Sequence, residues 1–191
     1  MKKFLPLITG LLIAFVIMTS LQIASDSMDI SAGPATNREK KRGLFQSAYA
    51  NRQEYHDMTG KSLVLKDLKA PIVILNFWAT WCRPCLGEFP SLVEFDDLYP
   101  NNRVQIIGVN SDDLETGLRN INKTIKEYGL KFRNILPQYK NKKNSLFNDF
   151  KIDSIPATIV FYKGKVVEIS SGSKNFMSEK FQDKIKKLLK N

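Results

Sequence analysis

Runs of apolar residues alternate with amphipathic segments from Gly60 to the end of the chain. The longest run, Ile72–Trp78, is almost free of polar residues, as expected for a strand that is buried on both faces of a sheet. The predicted strands are Leu63–Leu65, Ile72–Trp78, Val104–Val109, Phe132–Leu136, Ala157–Tyr162 and Lys165–Ser170. The predicted helices are Arg83–Tyr99, Asp113–Tyr128, Asn144–Phe150 and Ser178–Leu189. From Ile72 onward the order β-α-β-α-β-α-β-β-α predicts an α/β domain with helices flanking a mixed sheet.

The first 25 residues have the pattern of a membrane-inserting segment. Lys2 and Lys3 precede an uncharged run that extends to Ser25. As a helix, its apolar part would span ~31 Å, about the thickness of the bilayer hydrocarbon. The positive flank predicts a cytoplasmic N-terminus and an exported remainder. We therefore expect residues 1–25 to form an uncleaved signal anchor; the alternative is a cleaved signal peptide, for which Ser25 and Ser27 are the best small-residue pair.

Residues 26–57 are predicted to be an extracytoplasmic linker. The segment is rich in small and charged residues, and it sustains neither helical periodicity nor strand alternation before about Leu44. The single histidine, His56, lies here among polar residues, where a solvated side chain is expected. The remaining residues, 58–191, are assigned to the folded domain.

Composition narrows the possible classes of protein. The 191 residues are 43% hydrophobic and 25% charged, which excludes a disordered tail, a collagen-like repeat and a coiled coil. Two cysteines and one histidine exclude a disulfide scaffold and a multi-histidine metal site. The net charge is +10. We interpret the excess of lysine as a solvated surface, and no nucleic-acid partner is expected because the lysines are not interleaved with aromatic residues.

The two cysteines carry the candidate chemistry. Cys82 follows a predicted buried strand and begins a predicted helix, where unpaired backbone N–H groups stabilise a thiolate. The pKa of this thiol is therefore expected below the ~8.5 of a free cysteine. Arg83 adds a positive charge, and Pro84 suits the first helical turn because its missing N–H would have no partner there. Cys85 lies one turn further on, so its sulfur can reach Cys82 and resolve a mixed disulfide.

Two other interpretations of the cysteine pair stay open at this point. A structural disulfide across one helical turn would constrain the chain little. A pair of zinc ligands would need two more ligands, and His56 is the only histidine available.

The motif and its surroundings resemble the thioredoxin superfamily. The matching residues are Phe77–Cys85 (FWATWCRPC), Pro90 in the following helix, and Ile155–Thr158 (IPAT) before a strand. The resemblance covers roughly Gly60 to Leu189 and implies a thioredoxin-like fold.

Within the superfamily the chain is similar to the membrane-anchored TlpA/ResA-like branch, which includes thiol reductants of cytochrome c maturation. Asn76 occupies the place of a buried aspartate in cytoplasmic thioredoxins, and Glu88 matches the active-site glutamate of the branch. Pro156 follows Cys82 by 74 residues, which leaves room for the branch's inserted strand-helix segment. The dipeptide Arg83-Pro84 differs from the Gly-Pro of thioredoxin and leaves the reduction potential open.

The resemblance implies a role for each site residue. Cys82 would be the attacking thiolate, exposed at the helix tip, and Cys85 the resolving thiol. Glu88 would accept the proton of Cys85, its pKa raised by burial; the alternative is an ordinary solvated helix residue.

The same resemblance implies a substrate-docking surface. Pro156 would be in the cis form, and Ile155 would offer backbone groups to a substrate strand. Trp81 would shield the disulfide and supply apolar docking surface, whereas Trp78 is expected in the core.

These observations favour an extracytoplasmic thiol-disulfide oxidoreductase that reduces disulfides in exported proteins, without a cofactor or metal. The expected partners are exported proteins with cysteine pairs, a membrane thiol electron donor, and the membrane itself through the N-terminal helix. Two alternatives remain: a disulfide oxidant or isomerase, which differs in reduction potential, and a non-catalytic binding module of the same fold.

Overall fold

The computed structural model describes residues 36–136 and 145–190. The predicted signal anchor at 1–25 lies outside the described residues, as does the first part of the predicted linker. Within the described ranges, no helix combines the length and the apolar character that crossing a bilayer requires. The chain divides into two compact units, Met1–Lys40 and Lys41–Asn191. In the first, Thr36 and Glu39 cap each other's backbone N–H groups, at 2.8 and 3.3 Å, as a helix begins.

A mixed five-stranded sheet, formed by β3 to β7, lies at the centre of the second unit. In chain order the strands of the described residues are β1 (Tyr55–His56), β2 (Ser62–Leu63), β3 (Ile72–Trp78), β4 (Val104–Asn110), β5 (Arg133–Ile135), β6 (Ala157–Tyr162) and β7 (Lys165–Ser171). The helices are α1 (Asn37–Ala50), α2 (Arg83–Leu98), α3 (Leu114–Tyr128), α4 (Ser145–Asp149) and α5 (Glu179–Lys190). Strands β1 and β2 form a separate small hairpin.

The order of strands in the sheet is β5-β4-β3-β6-β7. Strands β3, β4 and β5 are parallel, whereas β6 runs antiparallel to β3, and β7 antiparallel to β6. Strand β5 and helix α4 correspond to the predicted strand-helix insertion, and the fold is thioredoxin-like. The sequence placed β3 and β6 correctly at both ends, since each is a nearly continuous apolar run. The predicted strand Leu63–Leu65 is instead the end of β2 followed by a 3-10 turn at Leu65–Asp67.

Strand β3 separates two hydrophobic cores because successive side chains point to opposite faces of a sheet. Ile72, Ile74 and Trp78 pack into a core shared with α2 and α5. Val73, Leu75 and Phe77 pack into a core shared with α1 and α4. Every residue of β3 is buried, including Asn76, which lies on the α2 face. This polar residue in the middle of the sheet belongs to the site described below.

The compact unit begins earlier than the sequence predicted. The described part of the predicted linker contains α1 and β1, and Phe45 and Tyr49 of α1 are buried in the core. Gln46 binds the hairpin between β6 and β7, donating to the Gly164 carbonyl and accepting from the Val166 N–H. Only two apolar residues of α1, Phe45 and Tyr49 at positions i and i+4, are buried. The aromatic rings that they pack against, Phe150 and Phe161, lie more than 100 residues away. The pattern was therefore too weak to separate α1 from a linker. His56 is exposed on β1, as predicted.

Candidate active site

The paired cysteines lie where β3 passes into α2. Cys82 is the N-cap residue of α2, and its Sγ accepts a hydrogen bond from the Cys85 N–H at 3.3 Å. Pro84 lies within the first turn, where its missing N–H leaves no donor unpaired. The two sulfurs form a disulfide, with 5.3 Å between the Cα atoms. The motif is therefore present in its oxidised form, with Cys82 receiving the helix-terminal N–H that would stabilise a thiolate.

The exposure of these residues differs from the prediction. Cys82, expected to be exposed at the helix tip, is only 5% exposed in the disulfide form, and Cys85 is fully buried. The reason is packing, because both sulfurs join the apolar cluster on the α2 side of the sheet. Trp81 projects instead and is 68% exposed, next to Arg83 and Pro84, which are also exposed. The accessible surface of the motif is thus an indole and a guanidinium group rather than a sulfur.

Glu88 lies one turn beyond Cys85 and is 2% exposed, which rules out the solvated alternative. Its Oε1 accepts a hydrogen bond from Asn76 Nδ2 at 2.7 Å, and its Oε2 accepts one from the backbone N–H of Lys174 at 2.8 Å. Burial raises the pKa of Glu88 above its usual value. The two hydrogen bonds and the charge of Lys174 oppose this rise without cancelling it. A buried carboxyl group that can take up a proton therefore lies on the same helix as the cysteines.

A cis peptide bond joins Ile155 and Pro156, as predicted. Ala157 is the register partner of Phe77, so Pro156 lies at the edge of the sheet where β3 ends and the cysteine motif follows. Half-buried Ile155 packs against the cluster that contains both cysteines. The Pro156 carbonyl accepts a hydrogen bond from the Gly172 N–H at 2.8 Å. The structure thus brings Ile155 and Pro156 to the cysteine end of the sheet.

A polar cluster that the sequence analysis missed supports the loop before Cys82. Asp112 accepts hydrogen bonds from the Thr80 N–H and hydroxyl at 2.8 and 2.5 Å. Asn110 and Asp112 also bind each other through side chain and backbone. The sequence did contain a sign of this cluster. Asn110 ends β4 and Asp112 follows it, at the same carboxyl edge of the sheet at which the cysteines follow β3.

A second missed element is the loop between β7 and α5. Lys174 donates its N–H to Glu88, and the Phe176 N–H donates to Ser91 Oγ at 3.2 Å. Ser91 lies on α2, one turn beyond Glu88, and its hydroxyl donates to the Glu88 carbonyl at 2.9 Å. No local pattern marks this loop, since its partners lie more than 80 positions earlier in the chain.

The family model described as the AhpC/TSA family matches residues 47–169. The chain belongs to this family. It is 34% identical over 157 residues to "Thiol-disulfide oxidoreductase ResA" of Bacillus thuringiensis (strain Al Hakam), covering 76% of this chain and 86% of that protein. It is 29% identical over 134 residues to the protein of the same name from Bacillus subtilis (strain 168), covering 70% and 71%.

A solved structure supports the fold. The thioredoxin domain of a thiol-disulfide oxidoreductase from Bacteroides vulgatus superposes with a TM-score of 0.59 at 23% identity, covering 72% of this chain and 92% of that one. With its Cys82–Cys85 pair and its family membership, the protein is a thioredoxin-like thiol-disulfide oxidoreductase.

Proposed function

We propose that this oxidoreductase works outside the cytoplasm and reduces disulfides in exported proteins. The observation that carries the proposal is the Cys82–Cys85 pair at the start of α2 with buried Glu88 one turn further along. Relatives named ResA support the same chemistry. Apocytochrome c is the candidate substrate, because the TlpA/ResA-like branch includes reductants of cytochrome c maturation.

The proposed reaction moves two electrons from the reduced cysteine pair to a substrate disulfide. The Cys82 thiolate attacks one substrate sulfur, the substrate S–S bond breaks, and a mixed disulfide forms as one substrate thiolate leaves. Cys85 then gives its proton to Glu88 and attacks Cys82 Sγ, which releases the second substrate sulfur as a thiolate. The enzyme is left with the Cys82–Cys85 disulfide, the state seen here.

The surrounding residues have proposed roles in binding and in tuning the thiol. Trp81 supplies the apolar contact for a substrate chain because it is large and exposed beside the motif. Ile155 and Pro156 border the substrate strand. Arg83 and Pro84 favour the Cys82 thiolate, the first by its charge and the second by fitting the helix terminus.

Location and partners complete the proposal. The N-terminal segment anchors the protein in the cell membrane, with the C-terminal domain facing the periplasm or exterior. A membrane thiol electron donor then reduces the Cys82–Cys85 disulfide again, because each reaction consumes one dithiol.

The test is to trap the substrates. In Cys85→Ala the resolving thiol is absent, so mixed disulfides through Cys82 should accumulate in cells. Adducts are purified under non-reducing conditions and identified by mass spectrometry, with the double variant Cys82→Ser, Cys85→Ala as the control. We expect c-type apocytochromes or their assembly proteins among them.

Two results would contradict the proposal. Absence of adducts above the control would leave a non-catalytic binding module. A reduction potential of the wild-type pair near ~−120 mV, measured by equilibration with glutathione, would identify a disulfide oxidant instead.

A further inference from the structure

Lys174 contacts the redox site and an ion-pair cluster at the same time. Its backbone N–H donates to Glu88 Oε2 at 2.8 Å, while its Nζ donates to Glu168 Oε1 on β7 at 2.5 Å. The ammonium group also lies 4.4 Å from the centre of the Phe181 ring on α5. Three elements therefore hold this lysine in place.

Glu168 is the centre of the cluster. Its second oxygen, Oε2, accepts a hydrogen bond from Lys184 Nζ at 2.6 Å. The side chains of Lys174 and Glu168 are only 17% and 19% exposed, so their charges are less screened than those of a surface pair. Burial would raise the pKa of Glu168, but the two lysines outweigh this effect and lower it.

We propose that Lys174 is a positioning residue for the redox reaction: its ammonium group, with its charge balanced by Glu168, sets how readily Glu88 ionises. The pH range in which Cys85 can pass its proton to Glu88 would then depend on the ion-pair cluster of Lys174, Glu168 and Lys184. The inference rests on the proposed role of Glu88 in the resolving step.

Among the described residues, the charged group that acts on Glu88 comes from the β7–α5 loop: the positive charge of Lys174 lowers the pKa of Glu88. Glu168 of β7 and Lys184 of α5 belong to the ion-pair cluster that Lys174 joins. Strand β3 contributes the uncharged Asn76, and β6 places the uncharged Thr158 opposite it in register. On α2 itself the neighbouring cysteine is part of a disulfide and does not titrate in this state. Lys174 thus combines a backbone hydrogen bond to Glu88 with a positive charge that acts on the same carboxyl group.

Coulomb's law gives the two partners effects of opposite sign. Lys174→Gln removes a positive charge and leaves the negative charge of Glu168 less balanced, so ionised Glu88 becomes less favourable. Glu168→Gln leaves the positive charge of Lys174 unbalanced, so ionised Glu88 becomes more favourable. A cluster that merely held the loop in place would respond in the same way to both variants, because both break the same ion pair.

The experiment is a titration of Glu88 in the full-length, oxidised protein. Carboxyl ¹³C NMR of glutamate-labelled samples follows Glu88, assigned by its loss in Glu88→Gln. We expect its pKa to rise in Lys174→Gln, to fall in Glu168→Gln, and to return to the wild-type value in Lys174→Arg, which keeps the charge. Lys184→Gln is the matched control, because Lys184 shares Glu168 but has no bond to Glu88; its shift should be smaller than that of Lys174→Gln.

Shifts of the same sign in Lys174→Gln and Glu168→Gln, or no shift in either, would overturn the proposal. The titration uses the disulfide form and needs no turnover, so it is independent of whether Glu88 acts in catalysis. If the pKa moves as expected while the pH profile of mixed-disulfide resolution stays constant across the variants, the electrostatic inference holds and the catalytic role of Glu88 fails.

Discussion

At the scale of single residues, the central feature is a carboxyl group buried among hydrogen-bond donors. Two donors aimed at Glu88 favour its ionised form, yet burial outweighs them and its pKa is raised. Asn76 Oδ1 and Thr158 Oγ1, which lie on register partners, are buried without a hydrogen-bond partner in the structure. If the side-chain amide of Asn76 rotates by a half-turn, its Oδ1 faces Glu88 in place of its Nδ2. This oxygen could then accept the hydrogen bond that a protonated Glu88 donates.

Glu88→Gln should change the pH dependence of stability. The carboxyl of Glu88 has a higher pKa in the folded state than in the unfolded state, so its stabilising contribution is full below the unfolded pKa and is lost as the pH rises through the folded value. Urea unfolding of the oxidised wild type should therefore show this loss from about pH 4.5 upward, starting near the ordinary glutamate pKa. Glu88→Gln, which cannot ionise, should lack it.

Glu94→Gln is the matched control, since Glu94 is an exposed carboxylate on the same helix, and it should reproduce the wild-type profile. Identical profiles for Glu88→Gln and wild type would contradict the raised pKa. If Glu88 accepts the proton of Cys85, Glu88→Gln should also slow resolution of a mixed disulfide by about 10²-fold or more.

At the scale of elements, α2 combines the chemistry with the core. Its N-terminus carries the cysteines, and one buried face carries Cys85, Glu88 and the apolar Phe89, Leu92 and Phe95. The helix continues through Pro90, which lies on the exposed side. The redox pair is thus fixed by packing that runs the length of the helix. Helix α1 covers the opposite face of the sheet.

Phe45→Ala tests whether α1 is part of the folded domain. Phe45 is fully buried and packs edge-on against Phe150 at 5.5 Å between ring centres. Its truncation should lower the free energy of unfolding by about 3–5 kcal/mol. Leu44→Ala, at a neighbouring position that is 38% exposed, should change it by at most about 0.5–1 kcal/mol. Chemical denaturation measures the free energy of unfolding of both variants. Equally small effects would indicate that this segment is a linker and not part of the folded domain.

At the scale of the whole molecule, the active residues collect at one edge of the sheet. The carboxyl ends of β3 and β4 and the start of β6 meet there, which brings together the cysteine motif, Asp112 and Pro156. The opposite end of β6 carries the β6–β7 hairpin, where Gln46 of α1 binds. The site and the start of the compact unit therefore lie at different ends of the sheet.

The proposed membrane topology predicts the location of the C-terminus. A reporter enzyme that is active only after export, fused after Asn191, should be active in the full-length protein. The expected reason is that Lys2 and Lys3 keep the N-terminus inside under the proposed topology. The fusion should stay in the membrane fraction after a high-salt wash. Release by the wash would show that the signal is cleaved, and an inactive reporter would contradict the export proposal.

The sequence alone determined the features that depend on local pattern. Nearly continuous apolar runs indicated β3 and β6, and the spacing of Cys82 and Cys85 at a strand-to-helix boundary indicated the chemistry. Only the tertiary structure decided the burial of Glu88, because its donors Asn76 and Lys174 lie 12 and 86 positions away. The same holds for α1, whose two buried side chains, Phe45 and Tyr49, pack against residues that are distant in the sequence. Burial is set by what packs against a residue, and short-range periodicity does not record contacts between distant parts of the chain.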